Sequence, residues 1–187
     1  MRRHVGPIGL VLLVAALGTP ASAGGNANFI LGGRSLSDGA NWGSFDSQSV
    51  FAADVDFSVG NWPVNLEAGV QASEKEESFF GTNVTGSVTE LFVGVNRTWD
   101  HGKMHPFVGG GAASVTAGFD GGGVSEDDTS AGFYIHGGVF WRIGRRINLG
   151  LDVRAMTGTS LTLFGLDGDA DYTQGGLLLG WGWPAGK

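Results

Sequence analysis

The feature that most limits what this chain can become is a two-residue alternation of side-chain character, repeated in segment after segment. Successive side chains of an extended strand point to opposite faces, so this pattern makes sheets with one apolar and one polar face. Phe51, Ala53, Val55, Phe57 and Val59 alternate with Ala52, Asp54, Asp56 and Ser58. Val64, Leu66, Ala68, Val70 and Ala72 alternate with Asn65, Glu67, Gly69, Gln71 and Ser73. Thr89, Leu91, Val93 and Val95 alternate with Glu90, Phe92, Gly94 and Asn96. Ile147, Leu149, Leu151, Val153 and Ala155 alternate with Asn148, Gly150, Asp152, Arg154 and Met156. The final run puts Leu177, Leu179, Trp181 and Trp183 on one face, with Leu178 as the one misfit on the other. Weaker alternation over 29–34, 107–119 and 133–141 completes the set. The total is about eight strands of about ten residues, the length that crosses a bilayer at a tilt.

Connections between these runs alternate in length. The segments 60–62, 100–105 and 144–146 are tight, whereas 37–47, 74–85, 120–131 and 160–171 are longer, polar and Gly-rich. The expected fold is therefore all-β, a single antiparallel up-and-down barrel with its long loops at one end. Composition excludes several other classes. The 35 Gly in 187 residues exceed the norm but fall short of a collagen repeat, and 42% hydrophobic content is too high for a disordered chain. The absence of Cys excludes a disulfide scaffold and a thiolate metal site. A net charge of −7 argues against nucleic acid as a partner.

The first 23 residues read as an address. Arg2 and Arg3 precede an apolar stretch centred on Leu10 to Val14, and Ala21-Ser22-Ala23 forms a small-residue cleavage site. That is the pattern of a secretory signal peptide, too short and too Gly/Pro-broken for a spanning helix. The expected division is residues 1–23 as signal peptide and 24–187 as barrel. Loss of Arg2 and Arg3 leaves 9 basic residues against 18 acidic ones, a net charge of −9.

Which face is apolar separates a barrel in lipid from a barrel in water. One face carries Arg34, Asp54, Asp56, Glu67, Glu90, His136, Asp152 and Arg154, while the other is almost wholly aliphatic and aromatic on five strands. Charges repeated on one strand face are ruinous in a dry soluble core and expected in the polar interior of a membrane barrel. Aromatics gather at the short-turn end: Phe29, Trp62, Trp99, Phe107, Trp141, Trp181 and Trp183. This is the expected aromatic girdle, placed where amphipathic rings sit among headgroups. Phe45, Phe51, Phe119, Phe133 and Tyr172 would form the opposite rim. Charge divides the same way. The long segments hold twelve acidic residues against Lys75 alone, whereas Arg97, Lys103, Arg142, Arg145 and Arg146 stand at the short-turn end against Asp100.

Three stretches, Thr89-Glu90-Leu91-Phe92-Val93-Gly94-Val95, Pro106-Phe107-Val108-Gly109-Gly110-Gly111 and Leu149-Gly150-Leu151-Asp152-Val153-Arg154, carry a family likeness. With them the mature chain resembles the small outer-membrane β-barrels of Gram-negative bacteria, of the opacity and OmpA types. Residues 176–183 are similar to the C-terminal strand signal read by the barrel-insertion machinery, although Pro184 to Lys187 follow where the family usually ends on an aromatic. The resemblance implies export to the cell outer membrane, with lipid and lipopolysaccharide as surroundings and the insertion machinery as a partner during assembly. It implies no cofactor and names no extracellular ligand.

The residues themselves offer few chemical constellations. The polar face is expected to form a salt-bridged plug; a proton or cation path lined by excess carboxylates is the alternative. His136 is followed by Gly137-Gly138 without a nearby Ser, so it reads as a hydrogen-bonded interior histidine rather than a catalytic one. Asp167, Asp169 and Asp171 begin like a Ca²⁺ loop, but Tyr172 stands where the Gly should be; they remain only a weak candidate for a divalent ion. The expected function is a non-enzymatic envelope-structural or surface-interaction protein with acidic extracellular loops. Alternatives are a narrow channel for ions or small solutes, a lipid-modifying barrel enzyme, or a secreted soluble barrel with an apolar ligand.

Overall fold

The structure, a computed structural model, describes residues 24–184; the expected signal peptide lies outside the described residues. Eight strands close a barrel: β1 (Gly25–Leu36), β2 (Ser47–Ser58), β3 (Asn65–Phe79), β4 (Thr82–Thr98), β5 (Met104–Gly121), β6 (Val124–Ile143), β7 (Ile147–Thr157) and, after a small ribbon of β8 (Leu161–Leu163) and β9 (Leu166–Gly168), β10 (Tyr172–Trp183). The spatial order is β1-β10-β7-β6-β5-β4-β3-β2, and every neighbouring pair is antiparallel. Closure runs along the whole of β1, from Gly25 opposite Trp183 to Leu36 opposite Tyr172. No sheet edge of the barrel is left unpaired, the condition for strands to survive in hydrocarbon. Among the described residues no helix is long and apolar enough to cross a membrane.

Alternation decides what each strand buries. On β7, Asn148, Gly150, Asp152, Arg154 and Met156 point inward and are buried, while Ile147, Leu149, Leu151 and Val153 point out and are exposed. The outward aliphatics of adjacent strands stand opposite one another, Leu31 beside Leu177 and Leu177 beside Leu151. They make a belt of unsheltered apolar surface around the barrel. Leu178, the sequence misfit, turns inward and is buried with Ile30, Ala52, Phe107 and Phe140 in an apolar layer across the interior.

The long connections differ from expectation. Segments 74–85 and 120–131 are not irregular loops but continuations of the ladder, since Glu77 pairs with Val84 and Phe119 with Glu126. Both faces of these extensions are exposed or only partly buried among the described residues, so they need no apolar alternation and their sequence looks like loop. β6 reaches 20 residues against 12 for β1, about 66 Å of extended chain against about 40 Å. Segment 37–47 contains a helical turn, α1 (Gly39–Trp42), and a 3₁₀ turn (Gly43–Phe45) that fold over the barrel mouth. Here Trp42 and Phe45 join Leu36, Val88, Val115, Met156, Leu161 and Tyr172 in a second buried apolar cluster. Phe45, Phe119 and Tyr172 therefore seal the mouth from within rather than forming an outer aromatic rim. Phe51 and Phe133 do face outward.

The tips at this end are two-residue turns with both residues in the left-handed region. Phe80-Gly81 joins β3 to β4 (φ 51° and 82°), and Phe164-Gly165 joins β8 to β9 (φ 53° and 74°). Primed turns match strand twist and favour Asn, Asp or Gly at the first position. A bulky side chain there is a genuine outlier, at a cost of roughly 1–3 kcal/mol.

Candidate functional site

Two regions concentrate polar chemistry, the barrel interior and the rim at the long-hairpin end. The interior is built by register. Asn26 faces Asp56 across β1 and β2, and its amide donates to both carboxylate oxygens at 3.1 and 3.0 Å. Asn65 adds a third bond to Asp56 at 2.9 Å, and Asn28 donates to Asp54 at 2.8 Å. Arg142 and Asn148 both donate to the side-chain Oδ1 of Asn26, at 3.0 and 2.9 Å.

One layer further in, His136 is held at both ring nitrogens. Its Nδ1 lies 3.0 Å from Asp152 and its Nε2 2.9 Å from Glu67, an arrangement a doubly protonated ring satisfies. Glu67 also accepts from Asn96 at 2.9 Å and from the Tyr134 hydroxyl at 2.7 Å. This crowding requires two glycines. A Cβ on Gly94 would collide with the Tyr134 hydroxyl, and one on Gly109 with the His136 ring. With both nitrogens engaged, His136 has none left to take a proton from a substrate.

Glu90, completely buried, anchors the middle of the interior. One oxygen pairs with Arg154; the other accepts from Gln71 and from the Tyr172 hydroxyl at 2.8 Å, and lies 3.7 Å from Arg34. The Arg154 guanidinium is sandwiched between the rings of Phe92 and Tyr134, at 4.0 and 3.8 Å, and Arg34 lies 3.8 Å over Tyr172. Arginine suits this place because its planar head stacks on the rings while one N–H group reaches its polar partner. Arg34 donates to Gln174, and Gln174 to Gln71, which closes the ring of contacts. Between the polar layers lies a cavity of about 20 Å³, lined among others by Asp54, Glu67, His136 and Phe107, room for roughly one water.

All eight residues of the expected polar face thus point inward. The sequence alone puts Tyr172 on the rim and Arg142 among the end charges, and assigns no role to Asn26, Asn28, Asn65, Asn96 or Asn148. Strand parity carries the signal for the asparagines. Nothing local shows that Tyr172 reaches Glu90.

Of the expected girdle, Phe29, Trp62, Trp99, Trp141 and Trp181 are exposed on the outer face, and Trp183 is half-buried. Trp99 and Trp181 carry Arg97 and Arg146 over their rings at 5.5 and 5.4 Å. Phe29 lies one outward step deeper in the belt than Trp181, beside Phe51. Phe107 does not belong to the girdle. It is 9% exposed and packs against His136 and Phe140, because β5 turns His105, Phe107, Ala113, Val115 and Ala117 inward. The outward face of β5 carries Gly110, Ala112 and Ser114.

At the rim, Asp167, Asp169 and Asp171 do not converge. Asp167 accepts from Thr162 Oγ1 at 2.9 Å, while Asp171 accepts from Thr157, Gly158 and Thr159. Burial pushes the Asp171 carboxyl up, but bonds from the Thr159 side chain and backbone, Gly158 and Thr157 outweigh it and hold it below the usual range. Asp169 is shifted upward, by burial first, with the nearby Asp171 charge adding to it. Among the described residues no group of three His, Cys, Asp or Glu is arranged to hold a metal. Other rim carboxylates fasten the small ribbon. Glu126 accepts from the Phe164 N–H and Asp128 from the Thr162 N–H, both at 2.8 Å.

No protein-family model matches the chain, and no curated protein sequence matches it. Solved structures do. The barrel is similar to Neisserial surface protein A, with a TM-score of 0.60 at 13% identity, over 86% of this chain and 96% of that one. It is similar to Ail, the attachment invasion locus protein of Yersinia pestis, solved with the heparin analogue sucrose octasulfate (TM-score 0.56, 10% identity, 86% and 97% covered). The N-terminal β-barrel domain of Pseudomonas aeruginosa OprF matches at a TM-score of 0.54 and 11% identity, with 86% and 99% covered. The fold is that of the small eight-stranded outer-membrane barrels.

Proposed function

We propose that this chain is a non-enzymatic outer-membrane barrel with its short turns in the periplasm and its long hairpins outside the cell. The observation that carries this reading is the exposed aliphatic belt. Leu31, Val93, Ile135, Leu151, Val153 and Leu177 are each at least half exposed, on five of the eight barrel strands, β1, β4, β6, β7 and β10. A monomer in water rarely shows apolar patches beyond a few hundred Å², whereas a bilayer covers such a band. The short-turn end of the belt carries tryptophans beside arginines, Trp99 with Arg97 and Trp181 with Arg146, as an interface favours. Lipid and lipopolysaccharide surround the belt, and the insertion machinery reads the terminal strand during assembly.

The interior serves as a structural plug rather than a path. Its carboxylates are paired or hydrogen-bonded, and two apolar layers cross it. The acidic hairpins give the protein a surface-interaction role. The heparin analogue bound to Ail is a polyanion, which an acidic rim repels, so that ligand class does not transfer to this chain.

Planar-bilayer recording tests the plug. The purified barrel should insert without a stable conductance; a large, persistent open level would establish the channel reading instead.

A further inference from the structure

The ribbon tip presents an arrangement with no role in holding the barrel shut. Phe164 is 52% exposed at a left-handed position where Asn would fit better. Its backbone is fastened by Glu126 and that of Thr162 by Asp128, so the tip is held in place rather than left to float. On one side of Phe164 lies a cleft of about 90 Å³ lined by Trp42, Phe119, Leu161, Leu163 and Leu166. On the other lies an open groove of about 490 Å³ lined by Val84, Phe119, Gly121 and Val124. Phe80 stands fully exposed at the tip of the β3–β4 hairpin, in the same kind of Phe-Gly turn.

Around these apolar clefts the charge has one sign. Asp169 lines the first cleft, and Asp38 accepts from Asn41 beside it. Asp120 and Asp167 each stand between two lining residues in sequence. Glu126 holds the Phe164 backbone, with Asp127 next to it. Among the described residues the only ion pair in these hairpins is Lys75 with Glu77, at 3.0 Å, and Lys75 also donates to the Ser44 carbonyl. The rim thus offers apolar pockets and unneutralised carboxylates together. A second copy of this chain cannot supply the missing cations, because Arg34 and Arg154 are buried inside the barrel and Arg97, Lys103, Arg142, Arg145 and Arg146 lie at its opposite end.

We propose that the rim is a docking surface for a cationic amphipathic segment of another protein, with apolar side chains in the two clefts beside Phe164 and Lys or Arg on the surrounding carboxylates. The cellular setting rests on the outward orientation proposed above; the surface chemistry does not. Apolar anchors give such a contact its strength, and charge gives it steering and salt dependence.

The test uses the barrel in zwitterionic nanodiscs and three short peptides. One alternates Lys with Leu, one Lys with Ser, and one Glu with Leu. The Lys/Leu peptide should bind the loaded discs and not empty ones. Its affinity should fall by about tenfold or more as salt rises to ~1 M, where the screening length is about 3 Å. Phe164→Asn, which suits the turn, should weaken binding by about tenfold, equivalent to ~1.4 kcal/mol, without lowering the unfolding temperature. Equal binding to empty discs, equal binding of the Lys/Ser peptide, or unchanged binding by Phe164→Asn would overturn the proposal. Orientation is read separately. The chain has no Cys, so Ser125→Cys can be labelled in intact cells by an impermeant maleimide. Labelled cells with no peptide binding would overturn the docking surface alone; unlabelled cells would overturn the outward orientation.

Discussion

Glu90→Ala is expected to cost more stability than any other single interior truncation, on the order of 3–5 kcal/mol. The reason lies in what it leaves behind. Glu90 is the carboxylate shared by Arg154 and Arg34 and the acceptor for Tyr172 and Gln71. Its loss strands two guanidinium groups in a closed interior with no other anion bonded to them among the described residues. Arg154→Ala should cost less, because Arg34 remains near Glu90 as a counter-charge. The double variant should fall short of the sum, since the two residues share one interaction. Urea unfolding in detergent micelles, or the temperature at which the SDS-resistant band disappears, measures the order. Arg154→Ala proving worse than Glu90→Ala would show that the stacking of Arg154 on Phe92 and Tyr134, and not the shared carboxylate, holds the plug.

Leu177→Arg is the second large effect. Leu177 points outward from the middle of β10, between Leu31 and Leu151, and is 64% exposed. In a bilayer a guanidinium at that depth costs about 2–4 kcal/mol. In water the same change at an exposed position should stay within about 0.5 kcal/mol. Folding measured in lipid vesicles should therefore drop, with little change for Leu177→Ala. An arginine variant that folds into vesicles as well as the parent would remove the belt from lipid.

Much of this architecture was legible in the sequence, and the reasons for the exceptions are physical. The run from Ile147 to Met156 declares its faces because the polar interior and the apolar outer face impose opposite demands on alternate residues. Where that contrast is missing, the pattern fades. Above the belt, Glu74 to Thr85 meets water on both sides, and only backbone pairing makes it strand. On β5 the small residues Gly110, Ala112 and Ser114 took the outer face, so Phe107, at a strand start beside the short turn, resembled a girdle residue. The interior needed an apolar layer at that level, with Phe140 and Leu178 as partners from other strands. The polar interior residues were visible by parity, but their pairing was not. That His136 bridges Glu67 and Asp152, or that Tyr172 reaches Glu90, depends on which strands the barrel brings across its axis, and no local spacing encodes it.

Cell fractionation with heat-modifiable electrophoresis tests most directly whether this barrel lives in the outer membrane. The protein should sediment with the outer membrane and migrate differently in SDS before and after boiling, because a closed barrel resists the detergent until heated. Recovery in the soluble fraction, with one mobility under both conditions, would contradict it.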